Sequence, residues 1–463
     1  MMKNLFLSAA CGFALTMGVQ PGVQAGEISE AVAADYKYVL DLYKHFHANP
    51  ELSFKESESA KRMASELEAL GFKVTTGLGD KWTKTKVKAD VGEVGEGVGG
   101  YGLVAIMENG DGPTLMLRAD MDALPLQERT GLPYASKVMS VDYKGQTAPV
   151  MHACAHDSHM AMLIGTARRL VDMKDQWSGT LVLIGQPAEE LGLGAIAMIE
   201  DDLYKDYPKP DYVLATHTSG WDAAGQVAYT PGYALANVDS VDIIVKGIGA
   251  HGSAPHVGKD PVMIGAQIVT ALQTLVSREV DPLQSGVVTV GSFQAGYKHN
   301  IIPDQAHLKI TVRSYEDSVR EQLLSGIKRI AEAQARSAGL PEELMPEVMV
   351  ESPYTPSTYN DPEMTTRVMK AVAEEIGEDR VVERPPSMGG EDFSQFGRTP
   401  EDIPTLIFWT GGNDPAALKA ARNGGALAPP SNHSPFYAPP PEPTLKTGVA
   451  AMTAGALELL GKR

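Results

Sequence analysis

Five short, almost continuous apolar runs predict β-strands that are buried on both faces. Segments with apolar residues at helical spacing lie between several of these runs, for example Met160, Leu163 and Ala167. Strands that alternate with helices are typical of an α/β domain whose mostly parallel central sheet is flanked by helices. The five predicted strands are residues 103–107, 114–117, 181–184, 212–215 and 405–409.

Residues 236–351 show a different order of elements. Their pattern predicts strand, helix, strand, strand, helix, strand, which is the ferredoxin-like α+β arrangement, and the segment is long enough to be an inserted domain. We therefore predict a catalytic domain of residues 26–235 and 352–463, interrupted by an inserted domain. The predicted strands are residues 240–245, 287–290, 308–312 and 347–350, and the helices are residues 262–275 and 319–338.

The composition is that of a globular protein. Of 463 residues, 43% are hydrophobic and 21% are charged, so the chain has room for two domains with their own cores. The formal net charge of −18 makes the chain a poor partner for phosphate backbones. We therefore exclude nucleic-acid binding.

Residues 1–25 predict a cleaved signal peptide. Lys3 precedes an apolar run at residues 5–19, which is short for a membrane span of about 20 residues, and small residues precede a cleavage site after Ala25. We expect an exported, periplasmic protein with no membrane segment after cleavage. Of two cysteines, Cys11 lies in the signal, so the mature chain keeps only Cys154. A lone thiol in an oxidising compartment needs protection, which a bound metal ion would give.

The stretch 151–159, MHACAHDSH, predicts a metal-binding turn because it packs a thiol, three imidazoles and a carboxylate together. It leads into a helix for which Asp157 or Ser158 is the expected N-cap. On extended backbone, Cys154 and His156 would project to the same side and could bind one ion.

Further polar residues follow the predicted strands. Glu189 and Glu190 come after strand 181–184, and His217 comes after strand 212–215. Open α/β sheets bind ligands beyond the carboxyl ends of their strands, so these side chains are expected to converge. One carboxylate could bind an ion while its neighbour takes a proton from a water molecule. Together with Cys154, His156 and His433, they supply the mixed donors that suit zinc or a similar ion.

Eight motifs resemble, in the same order, those of the aminoacylase/carboxypeptidase family of dinuclear metallohydrolases. The nearest branch is the N-acyl-amino-acid amidohydrolases, which include hippurate hydrolases and plant auxin-conjugate hydrolases. The match spans nearly the whole mature chain. The motifs are residues 47–56, 118–125, 152–159, 185–190, 249–256, 300–303, 388–393 and 432–435.

The resemblance implies a role for each matching position. Glu189 would be the general base that acts with metal-activated water, and His251 would reach the active site of a partner subunit and stabilise the oxyanion. Asn300 and Arg313 would hold the substrate at its carboxylate, and Gly390 would lend a backbone N–H. The inserted domain would be a lid and the dimerisation domain of a homodimer. The implied ligands of two divalent ions (zinc, manganese or cobalt) are Cys154, His156, Glu190, His217 and His433.

The chain departs from this branch in three places. Ala155 stands where the branch usually has Gly, and Ala tolerates positive φ poorly. The Gly- and Lys-rich stretch 80–102 is expected to be an exposed excursion. This stretch and residues 138–150 are longer than the usual connections, so they could reshape the substrate mouth.

Other functions stay open or fail on the sequence. A dinucleotide site at the G-x-G-x-x-G of residues 247–252 fails because Pro255 follows instead of a helix, and no G-x-S-x-G nucleophile elbow is present. A nucleophilic Cys154 is the chemical rival. A dipeptidase or carboxypeptidase of the same family, acting on a dipeptide, and a non-catalytic periplasmic solute-binding protein are the alternatives to an N-acyl-amino-acid amidohydrolase.

Overall fold

The computed structural model describes residues 26–462. The predicted signal peptide and Cys11 lie outside these residues. Within residues 26–462, no helix combines the length and the apolar character that crossing a bilayer requires. The strands are β1 Lys73–Leu78, β2 Gly102–Asn109, β3 Thr114–Asp120, β4 Met139–Val141, β5 Thr147–Pro149, β6 Gly179–Gln186, β7 Tyr212–Ala223, β8 Val227–Tyr229, β9 Gly232–Leu235, β10 Asp239–Lys246, β11 Ala250–His251, β12 Gly286–Ala295, β13 Ile301–Ile302, β14 Gln305–Ser314, β15 Glu347–Val350, β16 Thr358–Asn360, β17 Val381–Glu383 and β18 Thr405–Asn413. The helices are α1 Glu27–Ala48, α2 Ser57–Ala69, α3 Asp80–Val91, α4 His156–Asp172, α5 Gly194–Glu200, α6 Leu203–Asp206, α7 Pro261–Thr274, α8 Asp317–Ser337, α9 Pro362–Ile376, α10 Pro415–Arg422 and α11 Pro441–Leu460.

The central sheet has eight strands in the order β1-β2-β6-β3-β7-β18-β8-β17. The five strands predicted from apolar runs are β2, β6, β3, β7 and β18, and they lie side by side. The pairs β6–β3, β3–β7 and β7–β18 are parallel. The predicted α/β class with a mostly parallel central sheet is therefore confirmed.

Both faces of this sheet are covered, which explains why its strands are continuous apolar runs. Leu115 and Leu117 of β3 belong to an apolar cluster with α1, α4, α9 and α11. Met116, between them, points to the other face and joins a second cluster with Met198 of α5 and Phe393. Burial of alternate residues on opposite faces fixes the strand register, since a slip by one residue would exchange the two clusters.

The second sheet has four antiparallel strands in the order β12-β14-β10-β15. With the helices α7 and α8, its chain order is strand, helix, strand, strand, helix, strand, so the ferredoxin-like arrangement is confirmed. Its core is a separate cluster that includes Ile243, Ile268, Leu308 and Ile327. The exact limits of the inserted domain, 236 and 351, stay a prediction.

Residues 80–102 are largely exposed, as expected, but their first half forms helix α3 and residues 98–100 near their end are buried. Thr83 and Val87 are buried one turn apart, and they give the helix a narrow apolar face. Ion pairs at the same spacing, such as Lys84 with Asp80, lie on the solvent side. The many lysines concealed this periodicity in the sequence.

Candidate metal centre

The carboxyl ends of β6 and β7 meet the start of helix α4 and the loop before α11. Glu189 and Glu190 lie in a short turn that follows β6, and His217 lies in β7. Cys154 and His156 flank Ala155, the residue before α4, and His433 lies in the loop that precedes α11. These positions are the edge at which open α/β sheets bind their ligands.

The start of helix α4 differs from the prediction. Ala155 is the N-cap, in the left-handed conformation with φ 69°, and the helix begins at His156. Asp157 and Ser158 are therefore inside the helix, and the backbone of Cys154 to His156 is not extended. The left-handed residue turns the chain sharply, so the Cys154 and His156 side chains converge by a tight turn rather than by strand alternation.

The five predicted metal ligands form one continuous group of donor atoms. Cys154 Sγ lies 3.5 Å from His217 Nε2. Donor atoms of Cys154, His156 and Glu190 all lie within 4.8 Å of one another. His433 Nε2 lies 3.5 Å from Glu190 Oε2. Residues separated by almost the whole length of the catalytic domain thus meet at one place, and their roles as ligands stay a prediction.

Two histidines each present one free ring nitrogen to this group. His156 Nδ1 donates to the carbonyl oxygen of Asp122 over 2.8 Å, and His217 Nδ1 donates to the carbonyl oxygen of Thr218 over 2.9 Å. Each hydrogen bond fixes the tautomer that leaves Nε2 with a free lone pair. Buried His156 Nε2 and Glu190 Oε1 have no hydrogen-bond partner within the described residues. Buried donors without partners, in a set of N, O and S atoms, fit a divalent transition ion.

The electrostatics of the group also favour a bound cation. Burial, and then Glu391 and Glu190, raise the pKa of Glu189 well above its usual range. Burial raises the pKa of Glu190 to about 8 despite the nearby His156. Burial and Glu190 likewise raise the pKa of the Cys154 thiol. A divalent ion would reverse these shifts, because it stabilises the thiolate and both carboxylates.

Asp122 orients three parts of the site, and the sequence did not reveal this role. Its carboxylate accepts from the backbone N–H of Glu189 over 3.1 Å and of Glu190 over 3.0 Å, and from Ser53 Oγ over 2.6 Å. Its carbonyl oxygen holds the His156 ring. The signals in the sequence were its position soon after a predicted strand and its place in the motif of residues 118–125.

A second group of possible donors, around Asp120 and His159, is already satisfied by the protein. His159 Nδ1 donates to Asp120 over 2.6 Å, and its Nε2 accepts from the backbone N–H of Thr218 over 2.7 Å. Asp120 also accepts from Arg118 over 2.7 Å. Although its donor atoms lie close enough for an ion, we assign this group a structural role, which is to hold β7 against α4.

The predicted substrate-binding residues lie apart from these donors, at the inserted domain. His251 Nδ1 accepts from Ser253 Oγ over 2.7 Å, and Asn300 accepts at its carbonyl oxygen from Gly252 over 2.8 Å. Arg313 donates to the carbonyl oxygen of Met388 over 3.0 Å, and a Cβ on Gly390 would lie 3.8 Å from its guanidinium. The structure thus pairs Arg313 with Gly390, and within residues 26–462 no contact joins His251 to the metal donors.

A buried histidine supports the metal-binding turn from behind. His47 is 1% exposed, and it bonds with Asp157 over 2.6 Å and with Glu128 over 3.0 Å. Burial lowers the pKa of His47, but the hydrogen bonds with Asp157 and Glu128 outweigh it and raise this pKa to about 9. Charged His47 is therefore a stabilising group of the folded protein.

We expect this stabilisation to disappear at alkaline pH. Because the folded pKa is raised, the contribution is complete below the unfolded value of about 6.5 and is lost as the pH rises through about 9. At about pH 6, the free energy of unfolding of the wild type should exceed that of His47→Gln. This difference between the two proteins should be about 3 kcal/mol smaller at about pH 9.5. Urea titration of both proteins across this range measures the difference, and a constant gap would contradict the assignment.

Comparison with known proteins identifies relatives over most of the chain. The family model "Peptidase family M20/M25/M40" matches residues 116–423. A thermostable carboxypeptidase 2 of Saccharolobus solfataricus is 36% identical over 92% of this chain and 96% of its own. A hippurate hydrolase of Campylobacter jejuni is 36% identical over 77% of this chain and 86% of its own.

One of the similar solved structures is a Bacillus subtilis protein described as a dinuclear metal-binding peptidase of the M20 family. It is 28% identical to this chain, with a TM-score of 0.68, and the alignment covers 92% of this chain and all of the other. Its fold therefore corresponds to most of the chain.

Proposed function

The chain belongs to peptidase family M20/M25/M40, whose members are metal-dependent hydrolases of amide and peptide bonds, and from this premise we propose an exported N-acyl-amino-acid amidohydrolase. The observation that carries the proposal is the convergence of Cys154, His156 and Glu190 beside Glu189. A relative named hippurate hydrolase supports cleavage of an N-acyl-amino acid.

The five converging side chains would hold two divalent ions, for which zinc, manganese and cobalt are the candidates. Such ions, when bound, polarise a carbonyl oxygen and lower the pKa of water. Cys154 Sγ lies close both to His217 and to the His156–Glu190 pair, so it would be placed to help hold either ion.

Glu189 would hold and then move the proton. Its carboxylate is 11% exposed and lies 3.8 Å from His156 Nε2, and its backbone is fixed by Asp122. A buried carboxylate takes a proton readily, and it can return this proton to the departing amine. Arg313, which has no carboxylate partner within the described residues, would bind the substrate carboxylate with Asn300, while Gly390 would donate its backbone N–H.

A metal-dependent reaction predicts loss of activity on chelation. Dialysis against a strong chelator should abolish amide hydrolysis, and addition of zinc, manganese or cobalt should restore it. The measurement is amine release from N-acetyl- and N-benzoyl-amino acids, with metal analysis of the same sample. An enzyme with a nucleophilic Cys154 would ignore the chelator, and a solute-binding protein would release no amine with any ion.

A peptidase of the same family is the second candidate, because a relative that spans 92% of this chain is named a carboxypeptidase. Both activities need the same ions and the same general base. They differ in the substrate: a peptidase cleaves a bond between two amino acids, whereas an amidohydrolase of this kind removes an acyl group from one amino acid. Dipeptides in the same substrate panel separate the two. Faster cleavage of dipeptides than of N-acyl-amino acids would favour the peptidase.

We also propose a homodimer formed by the inserted domain. β12 is an edge strand of the second sheet, and Phe293 on it and Met263 on α7 are 38% and 56% exposed. Exposed apolar side chains beside an open strand edge favour pairing with a second copy. His251 would then reach the site of the other subunit. A fully active monomer in light scattering would rule this out.

Export is proposed from the sequence of residues 1–25 alone. Fractionation of expressing cells should find the protein outside the cytoplasm with Gly26 as its first residue. An N-terminus that still begins at Met1 would contradict cleavage.

A further inference from the structure

Arg384 occupies a fixed position on the sheet face that carries the metal donors. Trp409 of β18 is the register partner of His217 of β7, so both side chains point to the same face. The Arg384 guanidinium lies 3.6 Å from the centre of the Trp409 ring. Its Nη1 donates to Asp222 over 2.5 Å, and it lies 3.5 Å from Ser219 Oγ, two residues after His217. The guanidinium is thus on the order of 10 Å from His217.

The backbone of Arg384 is held as firmly as its side chain. Its N–H donates to the carbonyl oxygen of Tyr229 over 2.8 Å, and its carbonyl oxygen accepts from Thr230 Oγ1 over 2.9 Å. The segment that begins here leads directly to Met388 and Gly390, where Arg313 of the second sheet is bound. The two arginines therefore stand at opposite ends of residues 384–390: Arg384 directly after β17 of the central sheet, and Arg313 on β14 of the second sheet.

One edge of the Arg384 guanidinium has no partner. Nη1 makes all of its side-chain hydrogen bonds, so Nε and Nη2 have no acceptor within residues 26–462. Nε and Nη2 are both accessible to solvent, and the side chain is 20% exposed. Nε–H and the adjacent Nη2–H form the planar fork that matches the two oxygens of a carboxylate. Arg313, in contrast, has already committed Nε and Nη1 to neutral oxygens.

We propose that Arg384 binds a second carboxylate of the substrate, so that the enzyme prefers N-acyl-amino acids with two acid groups. The inference rests on the proposed function, in which Arg313 and Asn300 hold the first carboxylate. Stacking on Trp409 and the bond to Asp222 fix the fork before the substrate arrives, so little conformational entropy is lost on binding. The second acid can belong to the amino-acid side chain or to the acyl group.

Paired substrates that differ only in charge test the proposal. N-acetyl-glutamate against N-acetyl-glutamine tests the side chain, and N-succinyl-alanine against N-succinamoyl-alanine tests the acyl group. In at least one pair, Arg384→Gln should lower kcat/KM for the acid by on the order of tenfold to a hundredfold, with the neutral partner unchanged. The loss should be mainly in KM. Arg384→Lys should retain part of the preference, since it keeps the charge but loses the fork.

Two variants control for structural effects. Arg367 also pairs with a carboxylate, Glu458, and lies over a ring, that of Tyr212, but it is on helix α9. Arg367→Gln should leave both substrate pairs unchanged. If Arg384→Gln unfolds because Asp222 loses its partner, the double variant with Asp222→Asn replaces it in the assay.

Three outcomes overturn the inference. An equal loss of kcat/KM for the acidic and the neutral substrate would mean that Arg384 only holds residues 384–390 in place. Equal wild-type kcat/KM values within both pairs would show that the enzyme does not recognise a second carboxylate. If the metal-loaded wild type hydrolyses no N-acyl-amino acid at all, the proposed function fails first, and this inference fails with it.

Discussion

Glu189→Gln should lower kcat by about 10²–10⁴-fold while the protein keeps its metal. The substitution preserves the size of the side chain but removes the group that can take and return a proton. The donor atoms of Cys154, His156 and Glu190 converge without the Glu189 carboxylate. Turnover of N-acetyl-amino acids, with metal content measured on the same preparation, checks both parts of the expectation.

Glu190→Gln is the informative counterpart, because the neighbouring carboxylate has a different place in the site. Glu190 lies against His433 and His156, so its loss should reduce metal content together with activity. Glu200→Gln, at the exposed end of α5, serves as the neutral control. Full activity of Glu189→Gln would remove Glu189 as the base and would require another proton acceptor.

The strand and helix pattern predicted most of the fold for a simple reason. A strand buried on both faces has little choice of residues, so β3 and β18 each contain an almost continuous apolar run. The inserted sheet is buried on one face, and the alternation of β10 and β14 is correspondingly regular. Helix α3 escaped notice because only Thr83 and Val87 are buried on it.

The candidate metal ligands could be picked out because their sequence positions lie next to predicted strands and helices that meet at one edge of the sheet. What holds them could not be predicted in the same way. Alanine disfavours the left-handed conformation that Ala155 adopts, so this turn must be held by contacts with the rest of the protein. The fork of Arg384 is set by Trp409 and Asp222, which come from two other strands. Tertiary packing fixes such positions, so no local pattern of residues in the sequence can predict them.

Asp122→Ala should lower both the stability of the protein and its activity. One carboxylate accepts from Ser53 and from the N–H groups of Glu189 and Glu190. Hydrogen bonds to a charged group contribute about 1.5–3 kcal/mol each, so the free energy of unfolding should fall by about 3–5 kcal/mol even with partial compensation. The turn would lose its orientation, so kcat should fall by about a hundredfold or more.

Asp142→Ala is a matched control for this change. Asp142 also accepts two backbone N–H groups, those of Lys144 and Gln146, but in an exposed hairpin turn. Solvent can replace those bonds, so its loss should cost under about 1 kcal/mol and leave kcat unchanged. Asp122→Asn should lie between the two, because its amide keeps one accepting oxygen. Denaturant unfolding, kcat and metal affinity of the three variants decide the matter: if Asp122→Ala behaves like Asp142→Ala, the turn that carries Glu189 and Glu190 is held by something other than this carboxylate.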